Sequence, residues 1–363
     1  MIKRIANEYV PTDVSAPGET LSEILTERGI SQTDLADRMG RPKKTINEIM
    51  NGKAAITPQT ALELELVLRI PAEFWIARER DYRTYLARRD QEECFAKDVS
   101  WARRFPAKEM IEFGWMPQHV DKSALVRNLL EFFGVASSQQ WEQVFSVYQV
   151  AFRKPKAFKP DLCAISAWLR AGISSAEKSK MKPFDRDAFR DALRESRKLI
   201  TSDPEDFVPA LTGIFAEAGV AVAFIPELPK SRASGATMWL SPERALIQLS
   251  LRYKSDDQLW FTFFHEAAHV LLHGKKSIFL ETGEHLGEQE KEANEWAANF
   301  LIPASEYRHF VSVGGFSKAE IRAFAAQLGI SPGIVVGRLQ HDGVLDFANC
   351  NDLKRRLKWV KDN

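Results

Sequence analysis

The chain has 363 residues, 45% hydrophobic and 27% charged, with a formal net charge of +1 at pH 7. This length predicts two or three domains, and the balanced charge excludes a chain that binds nucleic acid over its whole surface, so any basic patch must be local. Three scattered cysteines, the lack of an apolar N-terminal signal, and the absence of any run near the ~20 apolar residues of a membrane span predict a soluble, cytoplasmic protein without structural disulfides.

The first predicted element is a group of short helices between Pro17 and Arg69. Gly29 is expected to end the first helix, Ser31 to cap the second, and Gly40 to form the turn before a third helix that Pro42 opens. Their predicted core residues are Leu35, Ala36, Met39, Ile46, Ile49 and Met50. Two short helices joined by a glycine turn are typical of helix-turn-helix DNA readers.

The third helix carries basic and polar side chains at its start. If its apolar residues face inward, the remaining face is free to meet base edges in a major groove. Arg41 and Lys53 are predicted to lie nearer the phosphates. A solvated basic face on a small bundle is the alternative. The residues predicted to meet base edges are Lys43, Lys44, Thr45 and Asn47.

Four stretches of this region follow a known family pattern. Residues 31–40 read Ser-Gln-x-x-Leu-Ala-x-x-Met-Gly and residues 46–53 read Ile-Asn-x-Ile-Met-Asn-Gly-Lys, and residues 56–64 and 71–75 continue the pattern. The region resembles the Xre-type helix-turn-helix family, particularly HigA-like antitoxins. The resemblance covers the first domain, residues 1–95, and implies operator DNA as a partner. It also implies a homodimer that forms through the charged segment 78–89.

The middle region, residues 96–200, is predicted to be helical and shows no identifiable chemistry. Its aromatic residues either form a core, which is the more common role of such residues, or line a ligand pocket. A basic, proline-bounded loop at Lys154–Pro160 is expected to be solvated, with contact to DNA or to an acidic partner as the alternative. The aromatic residues in question are Trp101, Phe105, Phe113, Trp115 and Trp168.

The last domain, residues 201–363, opens with a helix and then three predicted strands. Their β-branched content places the strands at 219–226, 236–240 and 245–249, which predicts a small mixed sheet. Such a sheet can present an edge to which a peptide adds as a further strand. We expect that edge at Ser234-Gly235.

After these strands, His265-Glu266-Ala267-Ala268-His269 lies within an apolar run. Residues four apart on a helix share a face, so His265 and His269 can bind one metal ion. Zn²⁺ held by two histidines and a carboxylate keeps a position for water, whose pKa falls towards ~7, and Glu266 is placed to take the proton. His273, one turn further on, is expected to support the ligands rather than to bind. A buried helix that carries histidines by chance is the alternative.

A third ligand is expected on the helix that begins near Glu290. The apolar stripe of that helix puts Glu290 on its flank and Glu292 farther away, so Glu290 is the favoured ligand and Glu292 the alternative. Asn294 lies on the same face as Glu290, where its amide can orient a ligating imidazole.

Taken together, the motif at 265–269 and the stretch Glu290–Pro303 resemble the ImmA/IrrE family of zinc metallopeptidases. That family joins a His-Glu-x-x-His helix to a Glu-x-x-x-Asn helix that runs into Leu-(Met/Ile)-Pro. The resemblance covers the last domain. It implies His265, His269 and Glu290 as Zn²⁺ ligands, Glu266 as general base, and cleavage of a regulatory protein rather than digestive proteolysis.

The C-terminal part offers three weaker signals. His285, Tyr307 and His309 are candidate donors to a tetrahedral oxyanion. Residues 318–345 have a helix-turn-helix rhythm and are expected to be packing scaffold. Residues 354–358 are predicted to form a basic helix.

The predicted fold is mostly α in an α+β arrangement: a helix-turn-helix bundle, a helical middle region and a zincin-like metallopeptidase with a small mixed sheet. The predicted function is a DNA-binding regulator fused to a zinc endopeptidase that cleaves a partner repressor, a toxin–antitoxin component or itself. The alternative is a HigA-like antitoxin or repressor that uses the peptidase fold only as a sensor or as a toxin-docking module.

Overall fold

The computed structural model describes residues 14–118, 121–151, 161–275, 279–281 and 287–360. The chain divides into two compact units, Met1–Asp98 and Val99–Asn363. Within the described residues, no helix has both the length and the apolar composition that crossing a membrane requires.

The N-terminal unit is a helical bundle built around a helix-turn-helix. The Ser31 hydroxyl accepts a hydrogen bond from the Asp34 amide at 3.0 Å and so caps α2, and Gly40 adopts a φ of 63° in the turn before α3. Leu35 and Ile46 are buried across that turn, so the predicted helix-turn-helix is confirmed. Helices α1–α5 of this unit are Pro17–Glu27, Gln32–Met39, Lys43–Met50, Pro58–Leu68 and Ala72–Lys97.

The second unit opens with a helical region that has its own aromatic core. The Trp141 ring centroid lies 5.8 Å from that of Trp101 and 5.1 Å from that of Phe105. The basic loop Lys154–Pro160 lies outside the described residues. Helices α6–α11 of this region are Val99–Ala102, Ala107–Glu112, Lys122–Phe133, Ser138–Ala151, Leu162–Lys178 and Arg186–Arg197.

Two of the aromatic residues singled out in the middle region, Trp101 and Phe105, belong to this core. Trp168 is also buried, and its indole N–H donates to the Ile225 carbonyl at 3.1 Å. Trp115 is half-buried and Phe113 is exposed. The core interpretation therefore describes the buried members of the set.

A four-stranded mixed sheet follows in the order β1-β3-β2-β4. β1 runs parallel to β3, whereas β2 is antiparallel to both β3 and β4. The small mixed sheet is thus confirmed, although the sequence predicted three strands. The fourth has only three residues, too few to show an alternating pattern. The strands β1–β4 are Val220–Phe224, Gly235–Ser241, Arg244–Leu249 and Phe279–Glu281.

The predicted position of the sheet edge is wrong. Gly235 pairs with Leu249 of β3 on one side and with Glu281 of β4 on the other. Because β2 lies between two strands, the residues from Gly235 to Thr237 have no open side to which a peptide could add. The edge next to β2 is formed by β4.

Helix α13 is the central element of the second unit, because it packs against β2 and β3 of the sheet and against α14 and α17. Its Trp260, Phe263 and Phe264 are almost fully buried. The predicted packing role of the C-terminal helices agrees with their buried residues, which include Ile321 and Val335. Helices α12–α17 are Pro204–Glu217, Asp256–Leu272, Glu288–Leu301, Ala304–Val313, Lys318–Leu328 and Pro332–His341.

The C-terminal tail corrects another prediction, because residues 354–358 do not form a helix. A short 3-10 turn at Asn351–Leu353 leads into extended backbone. Asp256, fully buried at the start of α13, accepts hydrogen bonds from the Arg355 amide at 2.9 Å and from Arg355 Nε at 3.3 Å. Lys354 Nζ lies 2.7 Å from Asp257 Oδ2. Ion pairs with α13 therefore outweigh the helical tendency of the tail.

The contacts of Arg355 with Asp256 and of Lys354 with Asp257 together form a clamp between the tail and α13. Loss of this clamp should destabilise the second unit. Arg355→Gln removes a charged partner of the buried Asp256, so we expect the free energy of unfolding to fall by about 2 kcal/mol. Urea denaturation measures it. Arg356→Gln is the matched control, because Arg356 is exposed and its replacement should cost less than about 0.5 kcal/mol. Equal losses in the two variants would contradict the clamp.

Candidate functional site

Two histidines of α13 and one glutamate of α14 bring their ligand atoms together. His265 and His269 are buried, and their Nε2 atoms lie 3.0 Å apart. Glu290 Oε2 is 3.2 Å from His265 Nε2, and Oε1 is 3.7 Å from His269 Nε2. A tetrahedral zinc ion with bonds near 2.1 Å would hold its ligand atoms about 3.4 Å apart. The spacing of these three donors therefore fits such an ion.

Asn294 sets the orientation of the first imidazole. Its Oδ1 lies 2.9 Å from His265 Nδ1, so the Nδ1–H donates to it and the Nε2 lone pair faces Glu290. Asn294 is one helical turn after Glu290 on α14. A single helix thus supplies both a third donor and the group that orients the first.

A longer chain of contacts supports the second imidazole. His269 Nδ1 is 2.8 Å from His273 Nδ1, and His273 Nε2 is 3.2 Å from Glu292 Oε2. Because Glu292 can only accept when ionised, His273 donates its Nε2–H to Glu292 and accepts the Nδ1–H of His269. The Nε2 lone pair of His269 then points at the other two donors.

These contacts separate the two glutamates that the sequence left open. Glu290 joins His265 and His269 in the group of donors that could hold a metal. Glu292 contacts His273 instead, with most of its side chain exposed to solvent. The two residues project differently from α14, so Glu290 contacts His265 and His269, whereas Glu292 contacts His273.

The electrostatics of the group match the needs of a metal ion. Burial lowers the pKa of His269, and the neighbouring His265 lowers it further, which outweighs the opposite effect of Glu290. Burial raises the pKa of Glu290, but hydrogen bonds with His265 and His269 outweigh it and hold that pKa well below its ordinary value. Neutral imidazole and ionised carboxylate are the forms that bind a metal.

Glu266 lies beside these donors without being one of them. It is fully buried, and its Oε2 accepts a hydrogen bond from the Thr237 hydroxyl of β2 at 2.6 Å. Sequence reasoning missed Thr237, because a β-branched residue in a predicted strand already has a structural explanation. Its contact with Glu266 depends on how β2 packs on α13, and no local signal could have revealed it.

Gly235 makes this packing possible. A Cβ atom at this position would lie 2.7 Å from Glu266 Oε1 and 2.6 Å from the Thr262 methyl group. Both distances are shorter than nonbonded contacts allow. The missing side chain therefore lets β2 approach α13 closely enough for Thr237 to reach Glu266.

The structure describes two of the three candidate oxyanion donors, Tyr307 and His309. Tyr307 is buried, and the Arg338 guanidinium lies 4.5 Å from the centroid of the Tyr307 ring. Burial together with Asp342 raises the pKa of Tyr307. His309 is exposed on α15. His285 lies outside the described residues.

The predicted DNA-contacting residues divide into free and engaged side chains. Arg41 forms a two-point ion pair with Glu63 through its Nε and Nη2 atoms. Their hydrogen bond raises the pKa of Arg41 and lowers that of Glu63. Thr45 is half-buried. The exposed members of the set are Lys43, Lys44, Asn47 and Lys53.

Asn47 is exposed but also hydrogen-bonded within the bundle. It accepts from Asn51 Nδ2 at 3.1 Å and donates to Gln32 Oε1 at 3.5 Å. The side chains at the start of α3 therefore combine exposed lysines with an amide held in place by hydrogen bonds. This pairing suits phosphate contact by the former and base contact by the latter.

Comparison with protein families identifies two domains. A model described as a helix-turn-helix matches residues 21–75, and a peptidase M78 model described as an IrrE N-terminal-like domain matches residues 217–340. Both resemblances noted in the sequence are thereby confirmed.

Individual relatives match over shorter stretches. The chain is 32% identical over 60 residues to the uncharacterised helix-turn-helix-type transcriptional regulator YddM of Escherichia coli K12, and 32% identical over 68 residues to virulence-associated protein A of Dichelobacter nodosus. These alignments cover 16% and 18% of this chain. They span 64% and 67% of the relatives, about two thirds of their length.

Two solved structures are also similar to part of the chain. An addiction module antidote protein of the HigA family from Coxiella burnetii shares 28% identity with a TM-score of 0.21, covering 23% of this chain and 92% of that one. An antidote protein of a plasmid maintenance system from Nostoc punctiforme shares 24% identity with a TM-score of 0.23, covering 24% and 94%.

Removal of the His273 contact should weaken metal binding without abolishing it. His273→Ala frees the His269 ring to rotate, so we expect zinc affinity to fall about 10–100-fold, whereas His265→Ala should bind no zinc at this site. Competition with a chromogenic chelator measures both. His309→Ala is the matched control, because His309 is exposed elsewhere. A zinc affinity of His273→Ala equal to that of the His309→Ala control would contradict the supporting role of His273.

Proposed function

Because the chain joins a helix-turn-helix domain to an IrrE N-terminal-like domain of the peptidase M78 family, we propose that it is a DNA-binding transcriptional regulator and a zinc-dependent endopeptidase. The protein substrate would be a regulator: a partner repressor, a toxin–antitoxin component, or this chain itself. The observation that carries the peptidase activity is the meeting of two buried imidazoles and a carboxylate beside the buried Glu266.

His265, His269 and Glu290 are the residues that would hold Zn²⁺. When bound in such a site, Zn²⁺ polarises a peptide carbonyl and lowers the pKa of water towards ~7. Asn294 and His273 keep both imidazoles in the tautomer that presents Nε2. All three proposed ligands and Glu266 belong to the second unit.

Glu266 is the proposed general base. It takes a proton from the water that attacks the peptide carbon, and it returns that proton to the amine as the carbon–nitrogen bond breaks. Thr237 holds one carboxylate oxygen of Glu266 at 2.6 Å. The base is thereby kept in one rotamer next to the ligands instead of swinging away between turnovers.

For the DNA-binding half, the proposal rests on the exposed start of α3. Lys43 and Lys44 lie at the first turn, where free backbone amides and positive charge favour a phosphate group. Arg41 is a weaker candidate, because its guanidinium is already paired with Glu63. A homodimer formed through α5 would present two copies of α3 to successive major grooves of an operator.

With both domains on one chain, the proposed protein is a regulator whose binding to a promoter depends on proteolysis. The helix-turn-helix would bring the protein to its operator. Cleavage of a partner or of itself would then change how long the promoter stays occupied.

If Glu266 is the general base, its replacement should slow peptide cleavage without removing zinc. Glu266→Gln keeps the three ligands, so we expect about one zinc per chain but cleavage at least 100-fold slower. Elemental analysis and mass spectrometry of a digested peptide library measure the two quantities. Glu288→Gln is the control, because Glu288 is exposed on α14. Zinc binding by the wild-type protein without any cleavage would instead favour the sensor or docking role.

If Lys43 and Lys44 of α3 contact DNA phosphates, their replacement should remove those contacts. Replacing Lys43 and Lys44 with alanine should weaken binding to random duplex DNA and reduce the slope of log K against log salt by about two. Fluorescence anisotropy across a salt series measures both. The same exchange at the exposed Lys178 and Lys180 is the control, and equal effects of the two double variants would contradict the assignment.

A further inference from the structure

A pocket of about 470 Å³ lies between α13, α14 and α17. Its volume falls within the range of about 300–1,000 Å³ that is typical of ligand sites. None of the metal ligands lines it, nor does Glu266. The pocket is therefore separate from the proposed metal ligands and from Glu266, although it lies close to them.

Two residues connect the pocket to the metal ligands. Phe261, which lines it, precedes His265 by one helical turn, and their ring centroids are 6.2 Å apart. Asn294, which also lines it, contacts His265 Nδ1 at 2.9 Å. An extended peptide advances about 3.3 Å per residue, whereas a helical turn rises 5.4 Å. A side chain one or two residues from a carbonyl at the ligands would therefore reach the pocket.

Apolar residues form part of the pocket wall, and the charges of Arg338, Asp342 and Asp257 in the wall are already paired. Arg338 Nε lies 2.7 Å from Asp342 Oδ2, and Lys354 Nζ lies 2.7 Å from Asp257 Oδ2. Burial of a charged guest beside these pairs would leave one charge uncompensated, which is costly. An uncharged guest avoids that cost. The apolar wall residues are Phe261, Ala298, Leu301, Ile302 and Ile334.

We propose that this pocket binds a bulky uncharged side chain of the substrate, aromatic or large aliphatic, next to the peptide bond that is cleaved. The proposal rests on the proposed peptidase function, and it defines the substrate class as proteins with such a residue at the cleavage site. Ala298 lines the pocket, so a larger side chain at this position of α14 would occupy part of its volume.

Amino-acid hydroxamates test the pocket without turnover. We expect the zinc-loaded full-length protein to bind phenylalanine hydroxamate about tenfold more tightly than alanine hydroxamate, and lysine and glutamate hydroxamates no more tightly than alanine hydroxamate. Isothermal titration calorimetry measures all four. Equal affinities for the phenylalanine and alanine compounds, or a preference for a charged one, overturn the proposal.

Variants locate the effect. Ala298→Leu should remove the preference for phenylalanine hydroxamate over alanine hydroxamate. Ala323→Leu makes the same exchange at an exposed position of α16 and should retain the preference. A preference that persists in a folded, zinc-binding Ala298→Leu protein contradicts the pocket. The wild-type comparison stands by itself if this variant does not fold.

A peptide library separates this proposal from the proposed function. Cleavage with enrichment of phenylalanine, leucine, methionine or tyrosine beside the cut bond supports both. Cleavage without such enrichment leaves the peptidase function standing and rejects the pocket. Hydroxamate preference without any cleavage rejects the hydrolytic activity alone.

Discussion

The meeting of two buried imidazoles and a carboxylate is the interaction around which the second unit is built. The ligand atoms of His265, His269 and Glu290 come within 4.8 Å of one another. Asn294 contacts the Nδ1 atom of His265, and His273 contacts the Nδ1 atom of His269, so each imidazole has a second polar partner. The rest of the fold supports this arrangement.

The packing around α13 supplies that support. On one side, Gly235 lets β2 approach closely enough for the Thr237 hydroxyl to bind Glu266. At the start of the helix, Asp256 and Asp257 are held by Arg355 and Lys354 of the tail. A tail distant in sequence therefore helps to fix the helix that carries His265 and His269, through its residues Lys354 and Arg355.

Charge also has different roles in the two units. At the start of α3, Lys43 and Lys44 are exposed to solvent, whereas Arg41 is paired with Glu63 in a partly buried position. In the pocket beside His265, Arg338 and Asp342 neutralise each other, and apolar residues form part of the wall. Counting basic residues would not distinguish these cases, because their partners come from other elements.

The sequence by itself determined the features that depend on local periodicity: the helix-turn-helix, with its Ser31 cap and Gly40 turn, and the four-residue spacing of His265 and His269. It also favoured Glu290, since helical projection is a local property. Only the tertiary structure decided what depends on distant contacts, namely the Thr237–Glu266 bond, the pairing of Glu292 with His273, the interior position of β2 and the clamp at Asp256. These contacts join residues that are far apart in the sequence, so the local sequence around either residue does not indicate its partner.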